Sequence, residues 1–311
     1  MPAERGFEDP LAGPAPRVYT IAPGRPFLED LAAMLLARAG DDPLSLARLT
    51  VLLPTRRAGR ALAEAMLRLS GGRPTVLPRI HPIGDLPDEA LALAGALDGP
   101  PPIGGLARVA LLARLVAATD RSLPVDRTWR LAGELAALMD ELATDEIDPR
   151  RIAGLVPDEF AAHWQKTLRF LDILVEAWPR ILAERGLSDP AERRIRLIRA
   201  QIAAWTDAPP AGPVIAAGST GSIPAIADLL GLVARLPRGA VVLPGLDLAM
   251  EEAAWEDLPD THPQAGLARL LERIAVGRDE VRPWPVRADA EEPPDRAALA
   301  AALFATPQGL G

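Results

Sequence analysis

No cysteine occurs anywhere in the 311 residues, which excludes disulfides, zinc–thiolate centres, iron–sulfur clusters and thiol catalysis within this chain. Lysine is nearly as scarce, Lys166 being the only one. The three histidines, His81, His163 and His262, are too scattered for an HExxH-type metal helix, so metal chemistry is not expected. No uncharged apolar run reaches about 18 residues, the length a spanning helix needs. Residues 1–16 carry three acids and no apolar signal-peptide core. The expectation is a cytoplasmic protein without a membrane span.

What is present is an apolar chain, 49% AVILMFWYC, with a net charge of −8. An acidic balance argues against a free-standing nucleic-acid binder, but the charge is unevenly placed. Between Arg48 and Gly84 lie seven arginines (48, 56, 57, 60, 68, 73 and 79) against one acid, Glu64. Between Asp247 and Asp260 lie six acids and no base. One concentrated basic segment in an acidic chain suits a component of a larger assembly that meets an anion on one face. The acidic stretch reads as a solvated loop.

Buried strands are expected at Arg17–Ala22, Leu49–Pro54 and Thr75–Ile80, with helices at Phe27–Ala39 and Ala58–Leu69 between them. Strands alternating with helices predict a parallel sheet covered on both faces, hence an α/β fold. From Gly104 to Trp205 the pattern is helical, with Pro179 bending a helix that Gly186 stops, and Ser188 and Pro190 starting the next. Trp129, Trp164, Trp178 and Trp205 fall on apolar helix faces and are expected in the core, and His163 reads as a partly buried helix residue. Strands return at Val214–Ala217 and Gly239–Asp247. The predicted organisation is a flexible arm over 1–16, the α/β domain over 17–103 and again over 211–278, an inserted all-helical domain over 104–210, and a linker over 279–311. The last stretch reads as the interrupted start of a further domain.

The first strand, turn and helix, "VYTIAPGRPFLEDL", has the form of a nucleotide-binding start. A phosphate-cradling loop needs GxxxxGK[ST], with backbone N–H groups around the phosphates and a lysine on the terminal one. Here the turn is Pro23, Gly24, Arg25 and Pro26. Two prolines remove two donors, and there is no lysine. The later strand Val214–Ala217 runs into Gly218, Ser219, Thr220 and Ser222, where a motor would need a magnesium-holding acid. No cofactor is expected. The Gly/Ser/Thr turn offers donors to an anion, or Ser222 caps the following helix with Pro224 in its first turn.

In this order, "VYTIAPGRPFL", "VLLPTRRAGRAL", "LPRIHPIGDL", "HWQKTLRFLDILVEAWPRILAERGL", "PVIAAGSTGSIPAIADLL" and "GAVVLPGLD" resemble the amino-terminal helicase-like region of the AddB family, in its alphaproteobacterial form. The resemblance covers residues 17–285. It implies a RecA-like, superfamily-one helicase sheet of P-loop NTPase type whose motor residues are lost, with an inserted helical domain. It also implies DNA handling in double-strand-break repair and recombination, and an AddA-type helicase–nuclease subunit as partner. The family's nuclease domain, with its cysteine-bound iron–sulfur cluster, cannot be carried onto these residues. The other functions weighed are an active ATPase, disfavoured by the missing lysine and acid, and a small-molecule-binding α/β protein with a helical cap, disfavoured by the basic segment.

"PTRRAGR" holds the leading candidates. Thr55 is a plausible N-cap, and Arg56, Arg57 and Arg60 crowd the start of the next helix, where acids are favoured. A DNA phosphate would make sense of that charge, and the resemblance places a strand-contacting motif there. Otherwise the arginines lie over the sheet edge or pair with acids elsewhere. Arg79 and His81, read as lying after a short strand, are the further DNA-contact candidates implied by the resemblance, with a plain turn as the alternative.

Overall fold

The computed structural model describes residues 9–40, 42, 44–71, 74–84, 99–153 and 172–285. The chain divides into two compact units, Met1–Pro87 with Ile202–Ser222 and Ile226–Gly311, and Asp88–Gln201 with Ile223–Ala225.

The first unit is α/β. Its opening half runs β1 (Val18–Ile21), α1 (Phe27–Ala39), α2 (Leu44–Ala47), β2 (Thr50–Leu53), α3 (Arg56–Leu69) and β3 (Arg79–Pro82). The helical unit follows in sequence, with α4 (Gly105–Thr119), α5 (Val125–Thr144), α6 (Pro149–Ala153), a π-helical turn at Ile173–Ala177, α7 (Trp178–Arg185) and α8 (Pro190–Asp207), whose residues from Ile202 onward belong to the first unit. The chain then returns through β4 (Val214–Ala217), α9 (Pro224–Arg235), β5 (Gly239–Pro244), α10 (Glu252–Glu256), α11 (Ala265–Arg273) and β6 (Arg282–Pro283).

The six strands form one all-parallel sheet in the order β3-β2-β4-β5-β1-β6, consistent with a RecA-like α/β fold. Near-continuous apolar runs such as "TVLL" and "VIAA" arise because both faces are covered. Tyr19, Ile21, Val51, Leu53, Ile215, Ala217, Ala240 and Val242 share a core with α1 and α3. Their neighbours Val18, Leu52, Val214, Ala216, Val241 and Leu243 point to the other face and are buried as well. Connections leaving β1 and β2 run toward the β3 edge, and those leaving β4 and β5 run toward the β6 edge. Right-handed crossovers therefore send α1 and α3 to one face and α9 and α11 to the other. Asp228 and Arg273 join α9 to α11 by two hydrogen bonds of 2.7 and 3.0 Å.

Several boundaries differ from the sequence expectation. The third strand is Arg79–Pro82 rather than Thr75–Ile80, because Thr75–Pro78 make no ladder, so Arg79 and His81 lie within the strand. The helix expected from Ala58 begins at Arg56. The expected arm is anchored from residue 9 onward, where Leu11 is buried, Pro10 O accepts the Tyr19 hydroxyl at 2.9 Å and Asp9 pairs with Arg38. The expected linker is likewise structured at its start, since β6 pairs with β1 and Trp284 packs edge-on against Tyr19 at 5.4 Å.

In the helical unit α4 and α5 pack around Leu112, Val116, Ala132, Leu135 and Met139, joined by Trp178 and Leu182. Asp189 ties the unit together. It accepts from Trp178 Nε1 at 3.2 Å and from the Ala191 amide at 3.0 Å. Arg108 Nε lies 2.9 Å from it, an ion pair without hydrogen-bond geometry, while Arg108 Nη1 donates to Asp140 at 2.7 Å. The start of α8 is thus capped by Asp189, not by Ser188, whose hydroxyl donates to Pro100 O at 2.8 Å. Nearby, burial and the charge of Asp189 push the Glu192 carboxyl above its usual range, against the pull of Arg196 and Arg108. Pro179 sits in the first turn of α7 directly after the π-helical turn, and Gly186 ends that helix in the left-handed region. Trp178 is core as expected, whereas Trp129 is 41% exposed, because Ala132, Leu135 and Ala136 already fill the inner face of α5. Trp205 is half-buried; Phe160, His163, Trp164 and Lys166 lie outside the described residues.

Candidate nucleic-acid interface

At the carboxyl end of β2 the chain leaves the sheet at Pro54, and Thr55 adopts extended backbone (φ −143°, ψ 156°) with its hydroxyl oxygen accepting from the Ala58 amide at 3.1 Å. Threonine therefore caps α3 as its sequence position demands. No acid stands in the first turn of α3. Arg56, Arg57 and Arg60 are all exposed there. Among the described residues neither Arg57 nor Arg60 makes an ion pair, which sets them apart from Arg25, Arg38, Arg68, Arg108, Arg273 and Arg278, each placed against an acid.

Gly59 explains the interruption in "RRAGR". A methyl group at its Cα would come within 3.0 Å of Ile80 Cγ2, so glycine lets α3 lie close on β3 while the arginines on either side remain in solvent. The helix is held to the sheet by buried Leu62, Ala65 and Met66, and toward its other end exposed Arg68 donates to Glu29 of α1 at 2.9 Å. The result is a helix N-terminus at which three exposed guanidinium groups gather at one end of the sheet, at the positive end of the α3 dipole.

The sheet register divides the remaining candidates. Arg79 stands opposite Thr50, the first residue of β2, and His81 opposite Leu52. Arg79 is exposed but lies at the amino edge, about 10 Å of strand from the turn that carries Arg56 and Arg57. His81 is half-buried and closer to the carboxyl edge. Thr55, Arg56, Arg57 and Arg60 therefore form one cluster; His81, paired with Leu52, belongs to the sheet face opposite the one α3 covers, and neither it nor Arg79 is part of the cluster.

The turn expected to be a lost phosphate loop is built differently. Arg25 donates from Nε to Asp30 Oδ2 at 2.6 Å and from Nη2 to Asp30 Oδ1 at 3.1 Å, with 9% and 8% of the two side chains exposed. Glu29 and Asp30 both sit in the first turn of α1. Beyond β4, Gly218 adopts φ +76°, and Ser219 Oγ accepts from the Gly221 amide at 3.2 Å. Helix α9 starts at Pro224, so the residue before it is Ile223 and Ser222 is not the cap; Thr220 and Ser222 are exposed. Thr20 was missed as a bracing residue of this edge: its hydroxyl accepts from the Leu246 amide at 3.0 Å, and a threonine inside an apolar strand is the signal that could have found it.

No protein-family profile matches the chain, and no curated protein matches it. Among the described residues no group of three or more histidines or acids could hold a metal ion, and no helix is long and apolar enough to cross a membrane.

Proposed function

We propose that the chain is a non-catalytic, DNA-guiding scaffold of the AddB type, working with an AddA-type motor subunit in the processing of double-strand breaks, and that the α3 N-terminus holds the phosphate backbone of the strand. The observation that carries this reading is the acid-free first turn of α3 with three exposed arginines. Arginines at a helix N-terminus are unfavourable by ~0.3–1 kcal/mol each at low salt unless an anion is near. A phosphate offsets that cost, because its oxygens accept from the helix N–H groups and the guanidinium forks together. Such interactions position a strand without reading its bases.

The test replaces Arg56, Arg57 and Arg60 with glutamine in the full chain together with its partner subunit. Weaker binding of DNA of every sequence alike, in a variant with unchanged unfolding, supports the reading. Unchanged affinity, or weakening confined to one sequence, contradicts it.

A further inference from the structure

An open α/β sheet receives its ligand in the crevice outside the carboxyl ends of its strands, where neighbouring connections depart in opposite directions. In this sheet that occurs at three places, between β1 and β5, between β2 and β4, and between β2 and β3 at the edge, of which the first two are central. A nucleotide is the ligand a RecA-like sheet implies, and the residues present do not fit one. At the first crevice a methyl group on Gly245 would lie 3.7 Å from both Cα and Cγ of Pro23. At the second, a methyl group on Gly218 would lie 3.2 Å from Cε1 of Phe27 and 3.6 Å from Cδ of Pro54. Both glycines hold positive φ, +72° and +76°, which lets the backbone turn away from the strand ends while the ring and the prolines close over them.

The electrostatic requirement of the site is met internally too. The N-terminus of α1 attracts an anion, and Glu29 and Asp30 of its own first turn supply the negative charge. Asp30 is neutralised in turn by both arms of Arg25. An incoming phosphate would meet a helix end already compensated, a nearly buried arginine already paired, and an aromatic ring in the space it would enter.

We infer that the β1–α1 turn is a self-liganded latch. Phe27 and the Arg25–Asp30 pair take the place of an external nucleotide and couple the end of β1 to the end of β4, so that the α/β unit holds one arrangement whether or not nucleotide is present. The latch stands on the geometry of this edge alone and does not depend on what α3 binds.

Hydrogen exchange of the full chain tests it, read at Gly218, whose amide donates to Val242 O at 2.9 Å, and at Arg25, whose amide donates to Ala22 O at 3.3 Å. Phe27→Ala is expected to speed exchange at both positions together, by about tenfold or more, while the refilling variant Phe27→Leu returns both toward the wild-type rates. If Phe27→Ala does not fold, the double variant Arg25→Gln/Asp30→Asn removes the charged half of the latch and is expected to loosen the same two positions. Millimolar Mg²⁺-ATP should leave the wild-type rates unchanged. Loosening of Arg25 without Gly218 overturns the coupling, and protection of either amide by Mg²⁺-ATP in the wild-type chain overturns the internal occupancy.

Discussion

Two turns of one sheet, each leading from a parallel strand into a helix at the carboxyl edge, have opposite electrostatic fates. After β1 the turn carries one arginine, and α1 answers it with Asp30, backed by Glu29. After β2 the turn is Pro54 and Thr55, and α3 opens with Arg56 and Arg57, has Arg60 one turn on and provides no acid in its first turn. Both lead from a strand into a helix, yet the first pairs its arginine with an acid of its own helix, and the second sets three exposed arginines at a helix start that has no acid in its first turn. Whether such a junction is a binding site is decided by the charges in the first helical turn, not by the strand–turn–helix form that both share.

The largest effect should come from opening the closed turn. Asp30→Asn leaves Arg25 nearly buried without its counter-charge and is expected to cost about 3 kcal/mol of unfolding free energy, read from denaturant midpoints at constant m-value. A decrease below about 1 kcal/mol, the value of an exposed pair, would mean that the pair is solvent-screened and the turn open.

Thr55→Ala removes the hydroxyl that caps α3 and should cost about 1 kcal/mol. The same variant should weaken DNA binding if the proposed anion site is the helix end that Thr55 organises. A drop in stability with unchanged affinity would separate the cap from the interface.

Smaller still is the gain expected from relieving the open turn. Arg57→Gln and Arg60→Gln should each raise stability by about 0.3 kcal/mol at low ionic strength in the absence of DNA, and the gain should vanish at high salt. Lower stability at low salt would show that these arginines are satisfied within the fold.

Glu192→Gln serves as a control remote in sequence from both turns. Burial and Asp189 hold the Glu192 carboxyl above its usual range, so the folded state favours the protonated form and ionisation at neutral pH works against folding. The variant should therefore be slightly more stable than wild type at neutral pH. The difference should disappear in acid, once the wild-type carboxyl is itself protonated. An effect of the same size at both ends of the pH range would mean that the substitution acts through packing.

The apolar runs disclosed four of the six strands and the parallel arrangement, with β3 displaced to Arg79–Pro82, and Thr55 announced its cap, because these follow from local pattern. Strand order did not, since it depends on which crossovers skip a neighbour. β6 escaped because two residues, Arg282 and Pro283, pair with β1 in a segment whose prolines and acids read as linker. Trp129 was assigned to the core on its helical spacing, but periodicity counts apolar residues without knowing how many the inner face can hold. At the candidate site the arginine cluster was legible as charge in the wrong place. The closure of the β1 turn was legible only as missing donors, because what fills it, Phe27 against Gly218, joins residues far apart in the chain.

The most direct measurement is the salt dependence of single-stranded DNA binding by the full chain with the proposed partner subunit, compared across three proteins: wild type, Arg56→Gln/Arg57→Gln/Arg60→Gln, and Arg25→Gln/Asp30→Asn. The slope of log K against log salt should flatten by about 0.7 for each phosphate that the α3 variant no longer neutralises. It should stay at the wild-type value in the Arg25/Asp30 variant, whose two charges already cancel each other. An unchanged slope in a folded α3 variant, or a flattened slope in the other, would contradict the assignment of the anion to the second turn and of self-closure to the first.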